Sequence, residues 1–337
     1  MYMSLYNTND YNVYLEIPDE FDVLLFPITS SHFDNLDDYT KNLTIPNENS
    51  VIVLWGSVHR IYPDSPYMLE LNKFYHSIKN PLVIFTGVLD IPKPNHLDYH
   101  CHGIDIFRHI TKIDHPSNRP ITLNKPLKYL FMSTKDYISR RYLLQHLLNN
   151  GFKDQGIIAY KCLSNMFNKE NYKKHRDDIL NICATIESQI PIIGFDESPG
   201  NYHGVPESVI NDTYLSIITE TYFEGPIYFS EKIYYAMMYN HFFIYLGPPH
   251  SLKYLRFLGF KTFSHIIDES YDDVEDSAER LFAVTQAMVN FLKIPLDTLH
   301  QLYAENIDII NHNRKLVGEI DVNALVIDAI QTAKLIR

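Results

Sequence analysis

The chain has 337 residues, of which 45 % are hydrophobic and 21 % are charged, and these values are typical of a globular protein. The length predicts two domains, because a domain usually has about 100–200 residues. The formal net charge of −12 argues against general binding to nucleic acid or to an anionic membrane surface, although a local basic patch remains compatible with it.

Cysteine usage and the N-terminal segment bear on location. Cys101, Cys162 and Cys183 lie far apart with no Cys-x-x-Cys pair, so neither a disulfide framework nor a structural zinc site is indicated. The first twenty residues lack the basic segment and the apolar segment of a secretory signal peptide. No run in the sequence reaches about 18 consecutive apolar residues, the length that a membrane-spanning helix needs. We therefore expect a cytoplasmic protein without a membrane span.

The N-terminal half alternates short apolar runs with polar stretches of helical length. The runs DVLLF (22–26), VIVLW (51–55) and LVIFTG (82–87) are typical of strands covered on both faces of a parallel sheet. Three prolines lie between Pro116 and Pro126, which favours a domain boundary there. The prediction is an N-terminal Rossmann-like domain over residues 1–120.

A second series of apolar runs follows the boundary. The runs KYLFM (128–132), GIIAY (156–160), YLSII (214–218) and FFIYL (242–246) predict another doubly wound sheet, over residues 121–272. After Asp272 the apolar residues recur at three and four positions, which predicts C-terminal helices over residues 273–337 that pack on the domains. The fold class predicted is α/β with two Rossmann-like doubly wound domains facing a cleft.

Basic side chains are predicted where two helices of the second domain begin. Arg140 and Arg141 lie near the first turn of the helix that ends at Gly151, and Lys232 follows Glu231 and the capping candidate Ser230. A helix N-terminus carries about half a positive charge, so a cation there is disfavoured by about 0.3–1 kcal/mol unless an anion is present.

One diphosphate between the two helix starts explains both clusters, because backbone N–H groups, a guanidinium and the Lys232 ammonium would all bind it. Two alternatives remain open. The cations are solvated, or Lys232 pairs with Glu231 or Glu220.

These residues also resemble a family. Glu220, then Glu231-Lys232, then a strand that ends in Gly247-Pro248-Pro249 resembles the donor-binding segment of GT-B glycosyltransferases, particularly the α1,3-fucosyltransferase-like group and related microbial and phage enzymes. The segment STKDYISRRYLLQHLL (133–148) is similar to that group's strand, loop and helix with a diphosphate-binding arginine, and Arg141 fits best by spacing. The resemblance covers roughly residues 125–275.

The resemblance implies a nucleotide-sugar donor held mainly by the second domain and an acceptor held by the first. Arg140, Arg141 and Lys232 would bind the diphosphate, and Ser230, Glu231, Glu220 and Gly247 would bind the ribose or the sugar. The chain departs from the pattern at Thr221-Tyr222 and at Tyr239-Asn240-His241, which leaves base and sugar open.

The transfer also needs a general base, for which the strand ends of the first domain offer His59 and Asp90, each also interpretable as an ordinary loop residue. The segment with His96, His100, Cys101 and His102 is a poor metal site, because adjacent residues of an extended segment point in opposite directions. We expect no metal and no cofactor.

The function predicted is a metal-independent, inverting glycosyltransferase that moves a sugar from a nucleoside-diphosphate sugar to a hydroxyl acceptor, for which a carbohydrate is expected. Neither a G-x-G-x-x-G nor a P-loop pattern occurs, which disfavours dinucleotide chemistry. The alternative is a non-catalytic protein that senses a nucleotide or a phosphorylated sugar. Nucleic acid is a disfavoured partner because of the charge.

Overall fold

The computed structural model describes two sets of residues. In the N-terminal half it describes the backbone of strands at 2–4, 14–16, 23–28, 51–56, 82–84 and 96–98. Further on it describes 121–133, 137–160, 207–220, 223–224, 227, 229–319, 324, 327–328 and 331.

The chain forms two compact units. One comprises Met1–Lys112, Gly225–Glu231 and Ile320–Arg337, and the other comprises Ile113–Glu224 and Lys232–Glu319. The domain limits expected from the sequence, and the cleft between the domains, stay predictions.

The described strands of the first unit form two sheets. Strands β1 (Tyr2–Ser4) and β2 (Tyr14–Glu16) pair antiparallel. The other four strands pair in parallel and in chain order: β3 (Val23–Ile28), β4 (Val51–Gly56), β5 (Leu82–Ile84) and β6 (His96–Asp98). The parallel sheet predicted from the apolar runs is confirmed. Among these described strands the order does not reverse, so double winding of this unit stays a prediction.

The described strands of the second unit form a four-stranded parallel sheet in the order β10-β9-β7-β8. Its strands are β7 (Leu127–Ser133), β8 (Gly156–Tyr160), β9 (Thr213–Thr219) and β10 (Phe242–Leu246). Every residue of β10 is buried, which is why the run FFIYL shows no polar alternation. The four predicted strands are confirmed to within one residue at each end.

Helices connect and cover this sheet. Between and after the strands lie α1 (Ile138–Asn149), α2 (Glu207–Asn211), α3 (Glu231–Met238) and α4 (Ser251–Phe257). The C-terminal helices are α5 (Ser277–Leu292), α6 (Leu296–Glu305) and α7 (Ile307–Glu319). Short 3-10 helices span Lys153–Gln155 and Ser270–Asp273.

Helix α1 ends as the sequence predicted. Gly151 has φ of +71°, and its N–H bonds Leu148 O while the N–H of Phe152 bonds Leu147 O. This pair of bonds is a Schellman motif, which requires the left-handed conformation that glycine adopts without strain.

The core lies between the sheet and the C-terminal helices. Helix α5 buries Leu281, Val284, Met288 and Leu292, and its Phe282 ring lies 5.4 Å from that of Tyr142 on α1. Phe242 of β10 makes edge-to-face contacts with Phe263, Phe291 and Tyr303. The mixed α/β class with a parallel sheet and C-terminal helices is thereby confirmed. None of the helices within the described ranges has the length and apolar character needed to cross a bilayer.

Candidate functional site

The strand order of the second unit marks one position on its sheet. The chain passes from β7 to β8 on one side and then returns to add β9 and β10 on the other side of β7. The direction of winding therefore reverses between β7 and β9. In open parallel α/β sheets, ligands bind at the carboxyl ends of the strands beside such a reversal.

Arg140 connects the carboxyl ends of those two strands. Its Nη1 donates to Ser133 Oγ, on the last residue of β7, at 3.2 Å, and its Nη2 donates to the carbonyl of Thr219, the last residue of β9, at 3.1 Å. The guanidinium also lies over the Tyr137 ring, 4.8 Å from its centroid. Arg140 is 3 % exposed, so its charge is held in a fixed place at the point of reversal.

Lys232 lies at the same edge and pairs with Glu220. Its Nζ is 3.1 Å from Glu220 Oε2, and the Glu220 side chain is fully buried while 21 % of the Lys232 side chain is exposed. Tyr245 donates its hydroxyl to the other carboxylate oxygen at 3.3 Å. The pair with Glu220, one of the alternatives considered for Lys232, therefore forms.

Backbone geometry brings Glu220 to this place. Glu220 directly follows β9, and its N–H bonds the carbonyl of Leu246, the last residue of β10, at 2.9 Å. Lys232 is in the first turn of α3, the helix between β9 and β10. Because both residues flank the carboxyl end of β9, their side chains meet.

Gly247 begins the turn after β10, and a side chain of α5 donates a hydrogen bond to its carbonyl. A Cβ at this position would overlap the ring of Tyr245, so the turn requires glycine. The Gly247 carbonyl accepts a bond of 3.2 Å from Nε of Arg280, whose other guanidinium nitrogens donate to the carbonyls of Phe223, Val274 and Glu275. Arg280 thus ties together segments that follow β9 and β10.

Arg140 and Lys232 line one cavity. Ser133 lies with them at the carboxyl edge, and Ser216, Tyr235 and Tyr239 line the part between α3 and the middle of β9. The cavity therefore has a cationic end and an aromatic end.

The wall of the cavity includes a serine bonded to a buried histidine. Ser216 Oγ is 2.8 Å from His241 Nδ1, and Nε2 of the same ring is 3.0 Å from the Ile210 carbonyl. Burial, and then nearby Lys125, lower the pKa of His241 well below its ordinary value, so the ring is neutral. A carbonyl only accepts, so Nε2 carries the proton and Nδ1 accepts from the Ser216 hydroxyl.

The remaining predicted residues have different places. Arg141 is buried in the first turn of α1, but it is not among the described residues that line the cavity, and its contact with phosphate stays a prediction. Ser230 is buried just before α3, and Glu231 is the first residue of that helix; their roles also stay predictions. His59 and Asp90 lie outside the described residues.

The possible metal ligands predicted from the sequence lie mostly outside the described residues. Within the described ranges, no three His, Cys, Asp or Glu residues lie close enough together to hold an ion. The backbone of His96 belongs to β6, whereas His100, Cys101 and His102 lie outside the described residues. Metal independence stays a prediction.

Sequence reasoning missed three residues at this edge: Ser133, Tyr245 and Arg280. Ser133 and Tyr245 carried a weak signal, since each is a hydroxyl-bearing residue in or at the end of an apolar strand. Arg280 carried a stronger signal, because it is an arginine on the apolar face of a helix, between the buried Ala278 and Leu281. A buried arginine needs partners for its donors, so its position predicts a structural bonding role.

Comparison with known proteins gives little further information. No protein family matches the chain, and no curated protein matches it. Among solved structures, an α1,3-fucosyltransferase crystal structure is similar to it over 88 % of this chain and 82 % of that chain, with 12 % identity and a TM-score of 0.34. These values are too low to establish a shared fold, so the likeness supports no conclusion about fold or function.

Proposed function

We propose that the chain is a glycosyltransferase that moves a sugar from a nucleoside-diphosphate sugar to a hydroxyl acceptor. A carbohydrate is the acceptor we expect, and transfer would be inverting and without a metal. The observation that carries the proposal is the placement of two cations, Arg140 and Lys232, in one cavity at the carboxyl edge of the parallel sheet.

The position of Arg140 supports a phosphate site. Its guanidinium bonds the ends of both strands at the reversal of winding, which is where open α/β sheets bind their ligands. A charge already fixed by Ser133 and Thr219 needs no reorganisation when a phosphate arrives. Such preorganised charge is the main way that enzymes stabilise a departing diphosphate.

The motif resemblance supports the same assignment. The Glu220 and Glu231-Lys232 pattern lies at the end of β9 and at the start of α3, around the same edge of the sheet. Lys232 would contact the diphosphate, and Glu220 would orient Lys232 and line the sugar subsite. His59 and Asp90 remain the candidates for the general base.

Nucleotide binding by the full chain is the first test. GDP, UDP, CDP and dTDP would each be added at about 100 times the expected Kd, where one bound ligand stabilises the folded state by about 2.7 kcal/mol. At least one should raise the Tm by about 4 °C, because unfolding 337 residues carries an entropy of about 0.7 kcal/mol/K. Lys232→Met should abolish the shift.

A matched control separates binding from folding. Arg256 also pairs with a buried glutamate, Glu269, at 2.9 Å, and neither residue is among those that line the cavity. Arg256→Met therefore breaks a comparable pair and should keep the nucleotide shift. If no nucleotide raises the Tm of the wild type, or if both variants lose the shift equally, the proposed site is wrong.

Turnover distinguishes the transferase from a sensor. The nucleotide sugar whose base gives the largest shift would be incubated with a panel of mono- and disaccharides, and free nucleoside diphosphate would be measured. Release that depends on an acceptor is expected. Tight binding without release in the presence of any acceptor would contradict catalysis and favour the sensor.

A further inference from the structure

Tyr245 lies on the same face of the sheet as the cavity. In β10 it is opposite Ile218 of β9, a residue that lines the cavity, and opposed residues of neighbouring strands project to the same face. Tyr245 is buried and is not among the described residues that line the cavity. Any effect of this side chain on a ligand must therefore act through a neighbour.

That neighbour is Glu220, whose carboxylate has a donor on each oxygen. Lys232 Nζ lies 3.1 Å from Oε2, and the Tyr245 hydroxyl lies 3.3 Å from Oε1. A single donor would let the carboxylate turn about its last carbon–carbon bond, whereas donors on both oxygens fix its plane. Because the Glu220 side chain is fully buried, water does not replace a donor that is lost. The hydroxyl of Tyr245 therefore helps to decide where Glu220 holds Lys232.

Gly247 provides the room that the Tyr245 ring needs. A Cβ on Gly247 would lie 2.8 Å from Cζ of Tyr245 and 3.0 Å from its hydroxyl oxygen. The ring thus occupies the space that a side chain at position 247 would fill. The motif resemblance implied that Gly247 binds the ribose or the sugar, but this geometry gives the glycine a different role.

We propose that Tyr245 is a positioning residue of the donor site. Its hydroxyl orients Glu220, Glu220 holds the Lys232 ammonium in the cavity, and Gly247 is a glycine so that the ring can reach the carboxylate. An ammonium that is already in place binds a diphosphate without reorganisation. The effect on the ligand rests on the proposed function, whereas the coupling of Tyr245 to Lys232 through Glu220 does not.

Urea denaturation of the full chain tests the coupling. Tyr245→Phe removes the hydroxyl and keeps the ring, so the variant should fold. The loss of stability in Tyr245→Phe combined with Lys232→Met should differ from the sum of the single losses, because both side chains act on one carboxylate. In a Glu220→Gln background this difference should disappear. Additive losses with Glu220 present would overturn the proposal.

Titration calorimetry tests the effect on the ligand, with the nucleoside diphosphate that most raises the wild-type Tm. Tyr245→Phe should weaken binding by about fivefold, the effect of losing one ordinary hydrogen bond. The matched control is Tyr129→Phe, which removes a buried hydroxyl that donates to the Phe152 carbonyl at 3.1 Å, and it should bind like the wild type. Unchanged binding by Tyr245→Phe, or an equal loss in the control, would overturn the proposal. A wild type that binds no nucleotide would contradict the proposed function, and the urea experiment would still decide whether Tyr245 positions Glu220.

The role of Gly247 has its own test by calorimetry. Gly247→Ala should displace the ring and weaken nucleotide binding, and adding Tyr245→Phe should weaken it no further because the hydroxyl has already moved. Gly156→Ala is the control, since a Cβ there would overlap the Tyr129 ring in the same way but away from the cavity; it should keep the wild-type affinity. A further fivefold loss on adding Tyr245→Phe would show that the ring reaches Glu220 without the glycine.

Discussion

Lys125 gives the sharpest test of the energetics of this fold, because it is a lysine in the core. It is 2 % exposed, and its Nζ donates to the carbonyls of Thr213 at 2.8 Å and Asn240 at 3.4 Å. The rings of Tyr303 and Tyr214 lie with their centroids 5.0 and 5.8 Å from Nζ. Burial lowers the pKa of Lys125 to about 7, and the Asp212 charge opposes this fall only in part.

The sign of the pH dependence follows from this pKa. Between about pH 7 and pH 10.5 the unfolded chain keeps a proton on Lys125 that the folded chain has released. Stability therefore rises with pH in this window, by at most about 1.4 kcal/mol per pH unit. Because the folded group is half titrated near pH 7, the gain from pH 7 to pH 9 is roughly 2 kcal/mol. The two carbonyls and the two rings favour the ammonium form in the folded state, so the gain of roughly 2 kcal/mol is an upper limit.

Lys125→Met removes the titrating group while keeping a side chain of similar length. Urea denaturation of the wild type and the variant at pH 7, 8 and 9 should show that the difference in free energy of unfolding changes by roughly 2 kcal/mol in favour of the wild type as pH rises. Lys261→Met, at an exposed lysine of the same unit, should run parallel to the wild type. Parallel profiles for Lys125→Met would refute the reasoning, since Lys125 would then stay protonated in the fold.

Two further predictions concern stability at neutral pH. Lys232→Met should lower the free energy of unfolding by about 3 kcal/mol, because it removes the cation that pairs with the buried Glu220 carboxylate. Adding Glu220→Gln to Lys232→Met should restore most of this loss in a urea double-mutant cycle, and additive losses would contradict the pairing. Asp276 caps α5 by accepting hydrogen bonds from the N–H groups of Ala278 and Glu279 at 3.0 and 2.9 Å. In urea denaturation, Asp276→Ala should therefore lower the free energy of unfolding by about 1 kcal/mol, whereas Asp276→Asn should lower it little. An equal loss for both variants would show that Asp276 does not stabilise the protein by capping the helix.

The sheet of the second unit was predictable because its strands are buried on both faces. Runs such as FFIYL and GIIAY contain no polar alternation, and burial on both faces is the condition that produces such runs. The left-handed end of α1 was predictable for an equally local reason, since Gly151 supplies the conformation that the turn needs.

The contacts of the site were less predictable, because they depend on orientation as well as position. Parallel strands end at one edge, so the sequence indicated that Arg140, Arg141 and Lys232 would lie near one another. Successive residues of a helix are about 100° apart around its axis, so Arg140 and Arg141 leave α1 in different directions, and the spacing argument favoured Arg141. The structure turns Arg140 toward the cavity, where Ser133 and Thr219 fix it, and neither contact is visible from spacing.

The Glu220 partner changes what the lysine at the start of α3 implies. The sequence argument held that a cation at a helix N-terminus needs an anion, and the chain supplies one in the buried Glu220 carboxylate. Among the described residues of this edge, Arg140, Lys232 and Glu220 together carry one net positive charge, which is less than a diphosphate would need for neutralisation. Phosphate binding would therefore need the charges of both Arg140 and Lys232. A carboxylate beside the leaving group would also repel it, so Glu220 belongs in this site only if it holds Lys232 in place or bonds a hydroxyl of the sugar. The loss of nucleotide binding in Glu220→Gln would then exceed what its effect on stability explains.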